Sequence, residues 1–139
     1  MKGTILLAVD NSKLAHRATE TVAELAAKEN NPVVVMHVHQ VAVGRFGRLV
    51  IEREPEEGCI AEVIKAELRQ AGVDAVCASP EVGVGHVAVE IARAARQLDA
   101  ALVVMGTHGE SDVASIALGS VSHRVLHLAH HPILLLPSE

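Results

Sequence analysis

Five short apolar runs, separated by longer segments with helical periodicity, constrain this chain more than any other feature. The runs are Thr4 to Val9, Val33 to His39, Val73 to Ala78, Ala100 to Met105 and Pro132 to Leu136. Between them, apolar residues recur at spacings of three and four. Ala15, Ala18, Val22, Leu25 and Ala26 share a face over Leu14 to Lys28, and Asn30-Asn31-Pro32 stops that helix. Ile60, Val63, Ile64 and Leu68 form a stripe over Glu56 to Gln70, with Gly72 just past its end. Ile91, Ala94, Ala95 and Leu98 do the same over Val87 to Leu98, and a last helix is expected over Ser120 to Ala129.

Continuously apolar strands joined by helical crossovers imply a parallel sheet buried on both faces. Right-handed crossovers then give a three-layer, doubly wound α/β sandwich with five strands. At 139 residues the chain is expected to form one domain, 1–139, with a sizeable core. Only Gln40 to Pro55 does not fit the alternation. It holds Gly44, Arg45, Phe46, Gly47 and Arg48 and reads as a long loop, either mobile or functional. Its arginines could close over a ligand, but a solvated loop is the simpler reading.

Aromatic residues make up 1% of the chain and the net charge is -5. Val, Leu, Ile and Ala must therefore build the core. Base-stacking platforms are missing and the overall sign is wrong for gripping a phosphate backbone, so a general nucleic-acid binder is excluded. Cys59 and Cys77 form no C-x-x-C pair and read as reduced cytosolic thiols. Lys2 precedes an apolar run that ends at Val9-Asp10, too short for a signal peptide. No run approaches the ~18 apolar residues of a membrane span. The expected location is the cytoplasm, with no membrane partner.

In open α/β sheets, ligands bind beyond the carboxyl ends of the strands where the strand order reverses. Asp10, Ser12, Val38 to Val41, Gly83, Gly85 and the segment from Gly106 onward are therefore the candidate positions. The richest is Val103-Val104-Met105-Gly106-Thr107-His108-Gly109, followed by Gly119-Ser120-Val121. A strand ends, glycines let main-chain N–H groups approach an anion, and a helix start with unpaired donors points at it. Simple turn glycines compete with that reading, as does Ser120 acting only as a helix N-cap. Asp10 or Ser12 could likewise cap the first helix. His108, inside the glycine loop, is placed to touch phosphate or ribose.

His123, His127 and His131 are spaced four apart, and His37 and His39 share a strand face. No H-E-x-x-H pattern occurs and no cysteine lies nearby, so no metal site is expected. No catalytic residue is expected either. There is no P-loop lysine, no arginine finger and no base to orient water.

The pattern G-x-x-G, nine residues, then G-[ST] is met by Gly106, Gly109, Gly119 and Ser120. With the opening Ile5-Leu6-Leu7-Ala8-Val9-Asp10-Asn11-Ser12 and the ending Pro132-Ile133-Leu134-Leu135-Leu136, the chain resembles the universal stress protein family. Gly85 to Gly106 is also similar to the family's third helix and fourth strand. The likeness covers nearly the whole chain and is weakest from Gln40 to Pro55.

The resemblance implies an adenine-nucleotide alpha-hydrolase-like sheet of order 3-2-1-4-5, with ATP across the ends of strands one and four in nucleotide-binding members. Asp10 would face adenine and ribose, and Val38 adenine. Met105 and Gly106 would lie near ribose. Gly109, Gly119, Ser120 and Val121 would surround the phosphates, and Ser122 would match a further hydroxyl. The cofactor would be ATP, alone or with Mg²⁺ or Mn²⁺, and the protein a stress-response homodimer joined through its last strand. An apolar Ile133 to Leu136 edge without a blunting charge is consistent with that pairing. The nucleotide would be a regulatory signal, not the substrate of a fast enzyme.

Glu110 and Asp112 depart from the family pattern and support a different class, a dimeric interaction module that binds no ATP. A carboxylate ~4 Å from a phosphate oxygen costs about 4 kcal/mol at an effective dielectric of ~20. A helix N-terminus returns about 0.3–1 kcal/mol, and about 2 when partly buried. Those side chains must therefore turn to solvent, or meet a divalent cation, for a nucleotide to bind.

Overall fold

The computed structural model describes residues 1–12, 14–45, 47–50, 58–108 and 118–137. Its elements are β1 (Ile5–Ala8), α1 (Leu14–Glu29), β2 (Val33–Met36), β3 (His39–Gly44), β4 (Gly47–Val50), α2 (Ile60–Gln70), β5 (Ala75–Ala78), β6 (Glu81–Gly83), α3 (Val87–Leu98), β7 (Leu102–Gly106), α4 (Ser120–Leu128) and β8 (Ile133–Leu136).

Five strands form a parallel sheet in the order β5-β2-β1-β7-β8. Counted within that sheet the order is 3-2-1-4-5, as the family resemblance implies. Central β1 pairs on both sides, Ile5 opposite both Val33 and Leu102. A strand with neighbours on both edges and helices on both faces has no polar side, which is why Ile5-Leu6-Leu7 is unbroken by a polar residue. Side chains alternate between two cores. Ile5, Leu7 and Val9 pack with Ala15, Ala18 and Val22 of α1 and with Ile64 and Leu68 of α2. Leu6 and Val103 pack with Ala88, Ile91 and Ala95 of α3 and Val125 of α4. Each large aliphatic side chain so enclosed stabilises the fold by about 1.5–3 kcal/mol.

Helix ends follow local chemistry. Asn30, at φ 54°, turns α1 into the left-handed region, and the Asn31 side-chain amide donates to the carbonyls of Met1 and Gly3. Asp99, at φ 46°, does the same after α3. The predicted bounds of α3 match the structure residue for residue.

Two expectations are corrected. The second strand ends at Met36, not His39, and the supposed loop from Gln40 contains an antiparallel hairpin, β3 with β4. With β6 parallel to β3, the hairpin makes a second sheet of order β4-β3-β6. The second sheet prolongs the β2–β5 pairing after a break. The His37 N–H donates to the Ala78 carbonyl at 3.1 Å and the His39 N–H to the Pro80 carbonyl at 2.8 Å. Pro80 has no N–H to return, so the ladder is interrupted there and resumes at His39 opposite Glu81. Phe46 and residues 51–57 lie outside the described residues, and so does the expected start of α2 at Glu56; α2 is seen from Ile60.

Candidate functional site

The strand order reverses between β1 and β7. β1 leads outward through β2 to β5, and β7 leads outward to β8. The crevice beyond their carboxyl ends is bounded by Asp10 on one side and Gly106 on the other, the two residues expected to flank it.

Asp10 follows one residue after the β1 ladder, which closes with the Val9 N–H donating to the Met36 carbonyl at 2.9 Å. Its Oδ1 accepts from the Ser12 N–H at 2.9 Å, an Asx turn that fixes the entry to α1. Half-buried, the carboxylate is thus held in place at the lip of the crevice.

Val38 lies where the chain leaves the main sheet. Its side chain is buried beside Met36 and Met105, in the core under α3 and α4. Because His37 and His39 both donate toward β5 and β6, alternation turns the N–H and carbonyl of Val38 the other way, toward the space beyond β1. Neither group has a backbone partner among the described residues. What Val38 offers the crevice is therefore its peptide groups. Met105 of β7 is equally buried in the same core.

Gly106 is required by close packing. A Cβ at this position would meet the Leu14 Cδ1 at 3.1 Å and the His108 carbonyl oxygen at 3.3 Å. The chain on either side of the glycine loop is drawn together by three hydrogen bonds. The Ser122 hydroxyl donates to the Gly106 carbonyl at 2.7 Å, the Gly119 N–H to the Thr107 carbonyl at 2.6 Å, and the Thr107 N–H to the Leu136 carbonyl at 3.0 Å. The end of β7 and the start of α4 are thereby fixed against each other. His108 is half-buried, with its Nδ1 3.0 Å from the Thr107 hydroxyl.

At the start of α4 the cap position is Gly119, not Ser120, and no side chain among the described residues caps the helix. The Gly119 carbonyl accepts from the His123 N–H at 2.9 Å, so the helix begins one residue earlier than a serine cap would allow. Ser120 is the first helical residue and is exposed. The N–H groups of Ser120, Val121 and Ser122 have no hydrogen-bond acceptor among the described residues. They make an uncapped donor set at the positive end of a helix, suited to an anion. Ser122 is 2% exposed and its hydroxyl is committed to Gly106, so toward the crevice it contributes its N–H. Gly109 lies outside the described residues, as do Glu110 and Asp112.

Sequence reasoning had no means of finding the Ser122–Gly106 tie or the Thr107–Gly119 bond. Both join residues more than ten positions apart, and neither residue type demands them.

Known proteins share this fold. The sequence matches the profile of the universal stress protein family over residues 1–137. The universal stress protein Sll1388 of Synechocystis is 30% identical, over 96% of each chain. A universal stress protein family structure from Burkholderia pseudomallei is 30% identical and superposes with a TM-score of 0.72, covering 98% of this chain and 96% of that one. The universal stress protein of Archaeoglobus fulgidus, solved in complex with dAMP, has the same fold at 24% identity and a TM-score of 0.67, covering 96% of each chain. With a family match that spans β1 to β8 and a relative 30% identical over nearly its whole length, this chain belongs to the universal stress protein family.

Proposed function

We propose that this protein binds an adenine nucleotide, ATP in the first instance, across the carboxyl ends of β1 and β7, and uses it as a regulatory signal in a cytoplasmic stress response. The observation that carries the reading is the start of α4, whose first N–H groups have no acceptor among the described residues and are held beside Gly106 at the topological switch point. A phosphate chain on the Ser120, Val121 and Ser122 amides would complete the helix end without any lysine. Gly109 and Gly119 would allow its close approach, and His108 would lie alongside. The peptide groups of Val38, without a backbone partner among the described residues, suit the donor and acceptor pair on one side of adenine, with Asp10 placed for ribose. Supporting the class of ligand, the Archaeoglobus fulgidus relative was solved with dAMP.

The sequence offers no P-loop lysine and no group to activate water, which favours a bound signal over rapid turnover. In this reading the protein is a homodimer joined along β8, whose outer edge has no partner strand among the described residues. Among the described residues no helix is long and apolar enough to cross a membrane.

The test begins with purified protein, denatured and analysed by mass spectrometry for released nucleotide. Titration of ATP and AMP follows, with and without Mg²⁺ or Mn²⁺. ATP affinity in the wild type, abolished in Gly119→Val, supports the site. A dimer that neither retains nor binds nucleotide would instead favour the interaction-module reading.

A further inference from the structure

We propose that His123 and His127 form a two-nitrogen chelate for a divalent transition-metal ion on the exposed face of α4. The two residues are four apart on a continuous helix, so their side chains leave the same face one turn apart. Both are exposed, and their rings already touch edge to face, with centroids 4.6 Å apart and planes at 65°.

Four of the other histidines have these structural partners. His16 pairs with Glu67 at 2.8 Å, His37 Nδ1 meets the Val9 carbonyl at 2.9 Å, His108 meets Thr107, and His131 faces Asp99 at 3.8 Å. His123 and His127 make no side-chain hydrogen bond or ion pair among the described residues, so their nitrogen lone pairs remain available. Arg124, between them in sequence, donates to the Gly85 carbonyl at 2.9 Å. Its cationic group is therefore held on another face and does not compete with a metal ion.

Each neutral imidazole presents one lone-pair nitrogen. Two of them, held close before binding, lose little side-chain freedom on closing around an ion. Imidazole suits Cu²⁺, Ni²⁺ and Zn²⁺ and does not suit Mg²⁺ or Ca²⁺. No third His, Cys, Asp or Glu joins the pair among the described residues, so water would fill the remaining positions and binding would be reversible. Protons compete for the same nitrogens, so acid would weaken binding.

The test uses the full chain stripped with a chelator and titrated at pH 7.5 with Cu²⁺, Ni²⁺ or Zn²⁺, with Mg²⁺ as control. One equivalent should bind, Cu²⁺ most tightly, and the imidazole NMR signals of His123 and His127 should broaden with Cu²⁺ and shift with Zn²⁺. His123→Gln and His127→Gln should each weaken binding by more than about tenfold, while His130→Ala should not. Circular dichroism of each variant checks that α4 is retained. Undiminished affinity in both glutamine variants, or perturbation centred on other histidines, would overturn the proposal. Either result would leave the nucleotide reading untouched, because the pair lies outside that set of donors.

Discussion

Ser122 and Gly106 are joined across sixteen positions by a hydrogen bond, serine Oγ donating to the glycine carbonyl at 2.7 Å. It sets the distance between the end of β7 and the start of α4 whatever path the intervening loop takes. The donor set at the helix start is thus positioned by the rigid sheet and not by the loop itself.

Replacing Ser122 with Ala should therefore affect more than packing. The residue is 2% exposed, and loss of its hydroxyl leaves a carbonyl short of a partner, at a cost of about 1–3 kcal/mol. Urea unfolding should show a lower midpoint with an unchanged slope, and nucleotide affinity should fall with it. An unchanged midpoint would mean that the tie contributes nothing.

Gly106→Ala should destabilise by about 1–3 kcal/mol through overpacking. Of its two close neighbours, the Leu14 methyl can move aside and the His108 carbonyl, being backbone, cannot readily do so. Adding Leu14→Ala should consequently relieve only part of the strain. The two substitutions should combine less than additively in a thermal or urea double-mutant cycle.

Leu7 is fully enclosed between β1's neighbours and α1, whereas Val76 on the outer strand β5 is 50% exposed. Leu7→Ala should cost about 2–5 kcal/mol. Val76→Ala should stay within about 0.5 kcal/mol. Equal costs at the two positions, measured by urea unfolding, would contradict the described sheet order.

Burial pushes the Cys77 thiol above its ordinary value, and the Glu62 carboxylate that accepts its hydrogen bond at 3.1 Å pushes it further. Alkylation requires the thiolate. In Cys59→Ser protein the rate of Cys77 modification should therefore keep rising with pH beyond the ordinary thiol range. Glu62→Gln should bring the midpoint down, read by mass spectrometry over a pH series. A midpoint insensitive to Glu62 would refute that contact.

How much of this was legible in the sequence follows from the range of the forces involved. The β1 run and the stripe of α3 were readable because burial on both faces or on one helical face leaves a local periodic trace. The β3–β4 hairpin was not. Gln40 to Gly44 is short, Gly44 and Gly47 read as loop residues, and its pairing with Glu81 to Gly83 depends on a distant ladder broken at Pro80. At the site, the strand runs put Asp10 and Gly106 at the ends of two strands that the structure makes neighbours. The roles of Gly119 as helix cap and Ser122 as tie leave no trace in the sequence, since they depend on the relative placement of β7 and α4.

The most direct measurement is an amide NMR titration of the isotopically labelled protein with ATP. The N–H signals of Ser120, Val121 and Ser122 should move together and in proportion to occupancy, with accompanying shifts at Val38 and Gly106. Saturable binding that leaves those helix-start amides unmoved would contradict the account.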